Sequence, residues 1–120
     1  MFKKILILDD DQDILQMLKD ILTQEGHAVE GHTHTDNIFT LIEEIKPDLL
    51  IVDYFINGLN GGEICSEVKR NPATAGLPVI ILTGFDRVLK SLGDYSADLV
   101  IAKPFDVEIL LNAVDQLQKV

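Results

Sequence analysis

The chain has 120 residues, 47% hydrophobic and 25% charged, which is enough for one core and too apolar for a disordered segment. Its formal net charge of −10 opposes contact with nucleic acid or an anionic membrane surface, and suits a divalent cation or a basic patch on a partner. The single cysteine, Cys65, excludes an internal disulfide and fits the cytoplasm, and no stretch reaches the roughly 20 apolar residues of a membrane span. The start, Met1-Phe2-Lys3-Lys4, has the outline of a signal peptide, but the apolar run behind it is short and stops at three aspartates.

In chain order, Ile5 to Leu8 is a continuous apolar run ending in acid, the pattern of a strand buried on both faces. From Asp11 or Gln12 to Glu25, the apolar residues Ile14, Leu18, Ile21 and Leu22 fall at helical spacing, and Gly26 stops the helix. His27 to Glu30 is a weak second strand. Thr35-Asp36 caps a second helix with the stripe Ile38, Leu41, Ile42 and Ile45, ended by Pro47. Leu49 to Val52 is a third buried strand, ending at Asp53. Gly61-Gly62 precede a third helix carrying Ile64, Cys65 and Val68, which ends near Asn71-Pro72. Val79 to Leu82 is a fourth strand ending at Thr83, and residues 86–92 read as a short helix. Leu99 to Ala102 is a fifth strand ending at Lys103-Pro104, and Asp106 caps a last helix that turns Leu110, Val114 and Leu117 inward. Five strands alternating with about five helices predict a single α/β domain over residues 1–120. It is a three-layer, flavodoxin-like fold whose five-stranded parallel sheet has the order 2-1-3-4-5.

In such a sheet the strand ends share one edge, and ligands bind outside the carboxyl ends where the winding direction switches. That places Asp9, Asp10, Asp53, Thr83 and Lys103 in one small pocket. Packed carboxylates repel, so either one is protonated or a cation sits among them; oxygen-only ligands favour Mg²⁺ or Mn²⁺. A carboxylate can act as a nucleophile toward phosphorus, and an ammonium and a hydroxyl opposite a metal stabilise transferring phosphoryl oxygens.

At these positions the chain resembles the response-regulator receiver family over essentially its whole length. The matching motifs are Leu6-Ile7-Leu8-Asp9-Asp10, Asp48 to Asp53, Ile81-Leu82-Thr83-Gly84 and Ala102-Lys103-Pro104-Phe105. The resemblance implies that Asp53 is phosphorylated, that Asp9 and Asp10 hold Mg²⁺ with the backbone carbonyl of Phe55 as a further ligand, and that Thr83 and Lys103 contact the phosphoryl group. It implies a cis Lys103-Pro104 bond. The implied donor is a phosphohistidine on a sensor histidine kinase or a histidine phosphotransfer protein, and the signal passes to a downstream effector that the sequence does not identify. It allows a homodimer through the fourth helix and fifth strand.

Four departures stand against the family pattern. Asn57 replaces a usual Pro, and Asn60-Gly61 replaces Asp-Gly. Val100 occupies a switch position usually held by Tyr or Phe, so the output route can differ. The segment from Thr83 to Lys103 is about two residues short by that comparison.

Two other readings use the same residues. One is a receiver-shaped interaction module that does not signal by phosphate, motivated by Val100. The other is a phosphatase resembling the haloacid dehalogenases, with Asp9-Asp10-Asp11 as its Asp-x-Asp motif; it leaves Asp53 unexplained. Elsewhere, His32 and His34, with His27 nearby, read as a solvated strand end rather than a soft-metal site, and Cys65 as a buried hydrophobe. Asp11 and Asp13 read as helix-start acids first and accessory metal-site acids second. Phe55 and Phe85, each two positions past a site residue, are expected to shield an acyl phosphate from water.

Overall fold

The structure is a computed structural model, and it describes residues 2–56, 59–84 and 95–117. Its central feature is a five-stranded parallel sheet of β1 (Lys4–Leu8), β2 (Ala28–His32), β3 (Leu49–Asp53), β6 (Val79–Thr83) and β7 (Leu99–Ala102). A two-stranded antiparallel hairpin, β4 (Phe55–Ile56) and β5 (Leu59–Asn60), lies between β3 and the third helix. The sheet order is β2-β1-β3-β6-β7. With the hairpin set aside, this is the predicted 2-1-3-4-5. The described helices are α1 (Gln12–Gln24), α2 (Ile38–Ile45), α3 (Gly61–Arg70) and α4 (Val107–Gln116). The helix expected over residues 86–92 lies outside the described residues.

The period of two along each strand divides the apolar residues between two layers. Ile5, Ile7, Leu49, Ile51, Ile80 and Leu82 face Leu18 and Leu22 of α1 and Leu110 and Val114 of α4. Leu6, Leu8, Leu50, Val52, Val79 and Ile81 face Ile38, Ile42 and Ile45 of α2 and Cys65 and Val68 of α3. Each fully buried Leu or Ile contributes about 1.5–3 kcal/mol. A one-residue slip of β3 would exchange its two faces, so these contacts also fix the register.

Each described helix starts on an Asx side chain that accepts from two backbone N–H groups, at Asp11, Asn37, Asn60 and Asp106. Such a cap contributes about 1 kcal/mol. Asn37, rather than the expected Thr35-Asp36, caps α2, because its Oδ1 reaches Phe39 N at 2.9 Å and Thr40 N at 3.2 Å. Thr35 Oγ1 accepts from Asn37 N–H one turn earlier. The second strand is Ala28–His32 rather than His27 to Glu30, because it pairs with the whole of β1, from Lys4↔Ala28 to Leu8↔His32. Helix α3 includes Gly61 and Gly62 rather than following them. Gly26, with φ +94°, follows α1 in the conformation that glycine adopts without strain. Among the described residues, no helix is long and apolar enough to cross a membrane.

Candidate functional site

Strand register sets the site's layout. Leu8 pairs with Val52, Asp53 with Leu82 and Thr83 with Ala102, so Asp9, Asp53, Thr83 and Lys103 lie along one carboxyl edge of adjacent strands. Asp9 has no exposed surface and Asp53 is 8% exposed. Thr83 is buried at the end of β6, and Asp10 is exposed. Lys103 directly follows β7, its peptide bond to Pro104 is cis, and its N–H donates to the Thr83 carbonyl at 2.7 Å.

The Lys103 ammonium joins the two buried acids. Its Nζ donates to Asp9 Oδ2 at 3.0 Å and lies 2.7 Å from Asp53 Oδ1. The other Asp9 oxygen accepts from Asp11 N–H at 2.9 Å, so backbone and lysine together fix that carboxylate. Burial works against the charged Lys103, but its hydrogen bonds to Asp53 and Asp9, together with their charges, outweigh it and hold its pKa above the ordinary lysine value. Asp53 is shifted upward: burial is the largest cause, and the Asp9 and Asp10 charges add to it against the pull of Lys103. A carboxylate oxygen from each of Asp9, Asp10 and Asp53 lies within 4.8 Å of the others. Charges that close repel by about 3 kcal/mol per pair at the effective dielectric of a protein rim. One ammonium offsets only part of three negative charges. The donor set is all oxygen and fits Mg²⁺ or Mn²⁺, which bind through few carboxylates and leave room for other oxygens.

Phe55 is 52% exposed in β4, opposite Asn60, and its ring stands edge-on to Tyr54 with centroids 5.3 Å apart. Val100 is half-buried against the layer that holds α2 and α3. Asn57 and Phe85 lie outside the described residues. Among the described residues, the only group of His, Cys, Asp and Glu spaced to hold a metal is Asp9, Asp10 and Asp53. His32 instead lies 3.3 Å from Glu30, Asp11 caps α1 with Asp13 in its first turn, and Cys65 is buried.

Three features of the site escape sequence reading. A Cβ on Gly61 would stand 1.9 Å from the Asp53 carbonyl oxygen, so only glycine lets the start of α3 approach the strand end. Gly61 N–H donates to the Tyr54 carbonyl. Tyr95 stacks obliquely on Tyr54, with ring centroids 6.1 Å and hydroxyls 3.4 Å apart, and its ring covers Gly62. The Gly61-Gly62 pair was the one available signal. The tyrosines, 41 residues apart, gave none.

Residues 5–115 match the family described as response regulator receiver domain. The chain belongs to the response-regulator receiver family. The receiver is 31% identical over 116 residues to the DNA-binding dual master transcriptional regulator RpaA of Synechocystis sp., a match covering 95% of this chain and 48% of RpaA. The chain thus spans about half the length of that relative. Among solved structures, it is 30% identical to the signal receiver domain of a signal transduction histidine kinase from Syntrophus aciditrophicus, with a TM-score of 0.85 and coverage of 96% of this chain and 89% of that one. It is 26% identical to the response regulator protein TrrA from Thermotoga maritima in complex with Mg²⁺-BeF, with a TM-score of 0.85 and coverage of 96% and 98%. Transcription factors and kinases both carry such domains, so membership in the family fixes two-component signalling and leaves the output open.

Proposed function

We propose that Asp53 of this receiver accepts a phosphoryl group from a phosphohistidine on a sensor histidine kinase or histidine phosphotransfer protein. The observation that carries the reading is the convergence of the Asp9, Asp10 and Asp53 carboxylates within 4.8 Å, with the Lys103 ammonium 2.7 Å from Asp53. An Asp53 oxygen attacks phosphorus, the phosphorus–nitrogen bond of the donor breaks, and the imidazole leaves with that electron pair. The product is an acyl phosphate on Asp53. Asp9, Asp10, Asp53 and the Phe55 carbonyl would hold Mg²⁺, which when bound neutralises charge on the phosphoryl oxygens and orients them. Lys103, already ionised and held by Asp9, turns from Asp53 to the incoming oxygens, and the Thr83 hydroxyl donates to another. Later, water attacks phosphorus, the bond from phosphorus to the Asp53 oxygen breaks, and inorganic phosphate leaves the restored carboxylate.

A phosphatase centred on Asp9 would need that side chain open to a substrate. Its complete burial and its bond to Lys103 favour a supporting role instead. Val100 leaves the chemistry intact and bears only on how the signal leaves the site. The charge of −10 opposes contact with a phosphate backbone, so in this reading the receiver acts on a protein partner.

Mass spectrometry after incubation with acetyl phosphate and Mg²⁺ tests the assignment. The parent is expected to gain one phosphoryl mass that Asp53→Asn lacks. Equal labelling of Asp53→Asn, or labelling at Asp9, would overturn it.

A further inference from the structure

A groove of about 510 Å³ runs between the amino-terminal ends of α2 and α3, and none of Asp9, Asp10, Asp53, Thr83 and Lys103 lines it. Half-buried Phe39 and Ile64 give it an apolar floor, and the exposed acids Asp36, Glu63 and Glu67 rim it. Two facts fix the chemistry of an occupant. First, helix amino ends ordinarily offer N–H groups to anions, but here Asn37 and Asn60 already accept from the leading N–H groups of both helices. With those donors used, the charged side chains that line the groove are all acidic. Second, among the described residues no Lys or Arg pairs with Asp36, Glu63 or Glu67. Lys69, on the same helix as the two glutamates, is held instead by Asp98 at 2.7 Å and by the Leu77 carbonyl at 2.7 Å.

We propose that this groove docks a lysine- or arginine-rich amphipathic segment of a partner protein, its aliphatic side chains on Phe39 and Ile64 and its cations on the acidic rim. The volume lies within the range of a groove that takes a few side chains. Apolar anchors inside a ring of complementary charge are the arrangement that gives such surfaces both affinity and register. A second copy of the chain is a poor occupant, because it brings the same charge of −10 to the same face.

The probe is a synthetic helical peptide of alternating leucine and lysine pairs, and the control is the same peptide with every leucine replaced by serine. Both are titrated into the full chain with millimolar Mg²⁺ and about 0.15 M salt, where exposed charges more than about 8 Å apart are screened. The leucine peptide is expected to shift the backbone amide resonances of residues 36–39 and 60–67. Glu63→Gln/Glu67→Gln is expected to weaken its binding by about five-fold. Asp20→Asn/Glu25→Gln, which removes the same charge from exposed positions around α1, should change it by less than about two-fold. Equal binding of the serine peptide, equal weakening by the two variant pairs, shifts centred elsewhere, or concentration-dependent shifts of residues 36–39 and 60–67 in the chain alone would each overturn the proposal.

Discussion

Lys103 sets one positive charge against two carboxylates, one of them without any exposed surface, and much of the site's behaviour follows from that shortage of positive charge. Because its folded pKa is raised, its contribution to stability is fully present below the ordinary lysine value and is lost only as pH rises through the higher folded one. At neutral pH the ammonium therefore stabilises the fold. Lys103→Met would leave Asp9 charged and unmatched. The expected loss in EDTA is about 2 kcal/mol, less than the roughly 3–5 kcal/mol for breaking a fully buried pair, because Lys103 keeps some contact with water. Removing that ammonium also makes the three carboxylates a stronger cation site, and a ligand that binds only the folded state stabilises it more as its affinity rises. Millimolar Mg²⁺ should therefore raise the melting temperature of Lys103→Met by more than it raises the parent's. Thermal melts with EDTA and with Mg²⁺ check this; an equal or smaller Mg²⁺ shift in the variant would mean that lysine and cation do not share the same charge. These five polar residues were legible in the sequence because each sits at or just past the end of an apolar run, and a parallel sheet gathers such ends on one edge.

At the scale of elements, the junction of β3 and α3 depends on two adjacent glycines for different reasons. A Cβ on Gly61 would meet the Asp53 carbonyl oxygen at 1.9 Å, whereas one on Gly62 would meet the Tyr95 ring at 2.5 Å. Alanine in a helix gains up to about 1 kcal/mol over glycine, while overpacking costs about 1–3 kcal/mol. At Gly61 the obstacle is backbone, so the clash prevails. Gly61→Ala is expected to be destabilising whatever stands at position 95, and to slow phosphorylation because the Asp53 backbone must move. At Gly62 the obstacle is a side chain. Gly62→Ala should cost stability in the parent and become neutral or stabilising when Tyr95→Ala removes the ring, a coupling of about 1–3 kcal/mol. Chemical denaturation of the double-mutant cycle decides the point; additive effects would show that the ring does not press on Gly62. The glycine pair was visible in the sequence, but the clashes were not, because they depend on where the fold brings a carbonyl and a distant ring. The β4–β5 hairpin was missed for a related reason: strands of two residues carry no periodicity. By contrast, β1, β3 and β6 were legible as continuous apolar runs, since both of their faces are covered. The weaker β2 lies at the sheet edge, its polar Glu30 and His32 gave little pattern, and the expected span fell short of it at the carboxyl end.

At the scale of the whole molecule, the start of the chain is tied to its last helix. Lys3 is buried, and its ammonium donates to the Val114 and Leu117 carbonyls at the carboxyl end of α4, where a cation satisfies otherwise unpaired carbonyls and the negative end of the dipole. Its backbone N–H donates to His27 Nδ1 at 3.1 Å, and His27 N–H donates to the Leu22 carbonyl of α1 at 3.1 Å. One buried imidazole thus joins the first strand's approach to the first helix beneath the last. That bond needs Nδ1 unprotonated. Burial, partly opposed by Asp115, holds the His27 pKa below the ordinary histidine value, so on acidification the unfolded chain takes up the proton first. The contribution is complete above the ordinary value and is lost as pH falls from there through the folded one. In EDTA, which keeps divalent cations from masking the effect, the melting temperature of the parent should fall from about pH 7 to about pH 5 more steeply than that of His27→Gln, which keeps a polar acceptor but has no proton to gain. Lys3→Met should lower both curves and narrow the gap in slope without closing it, since burial is the largest cause of the His27 shift, the Lys3 charge is a smaller one, and the backbone donor to His27 stays in place. Parallel slopes for parent and His27→Gln would mean that His27 ionises alike in the folded and unfolded chain, and that burial at this junction carries no pH dependence.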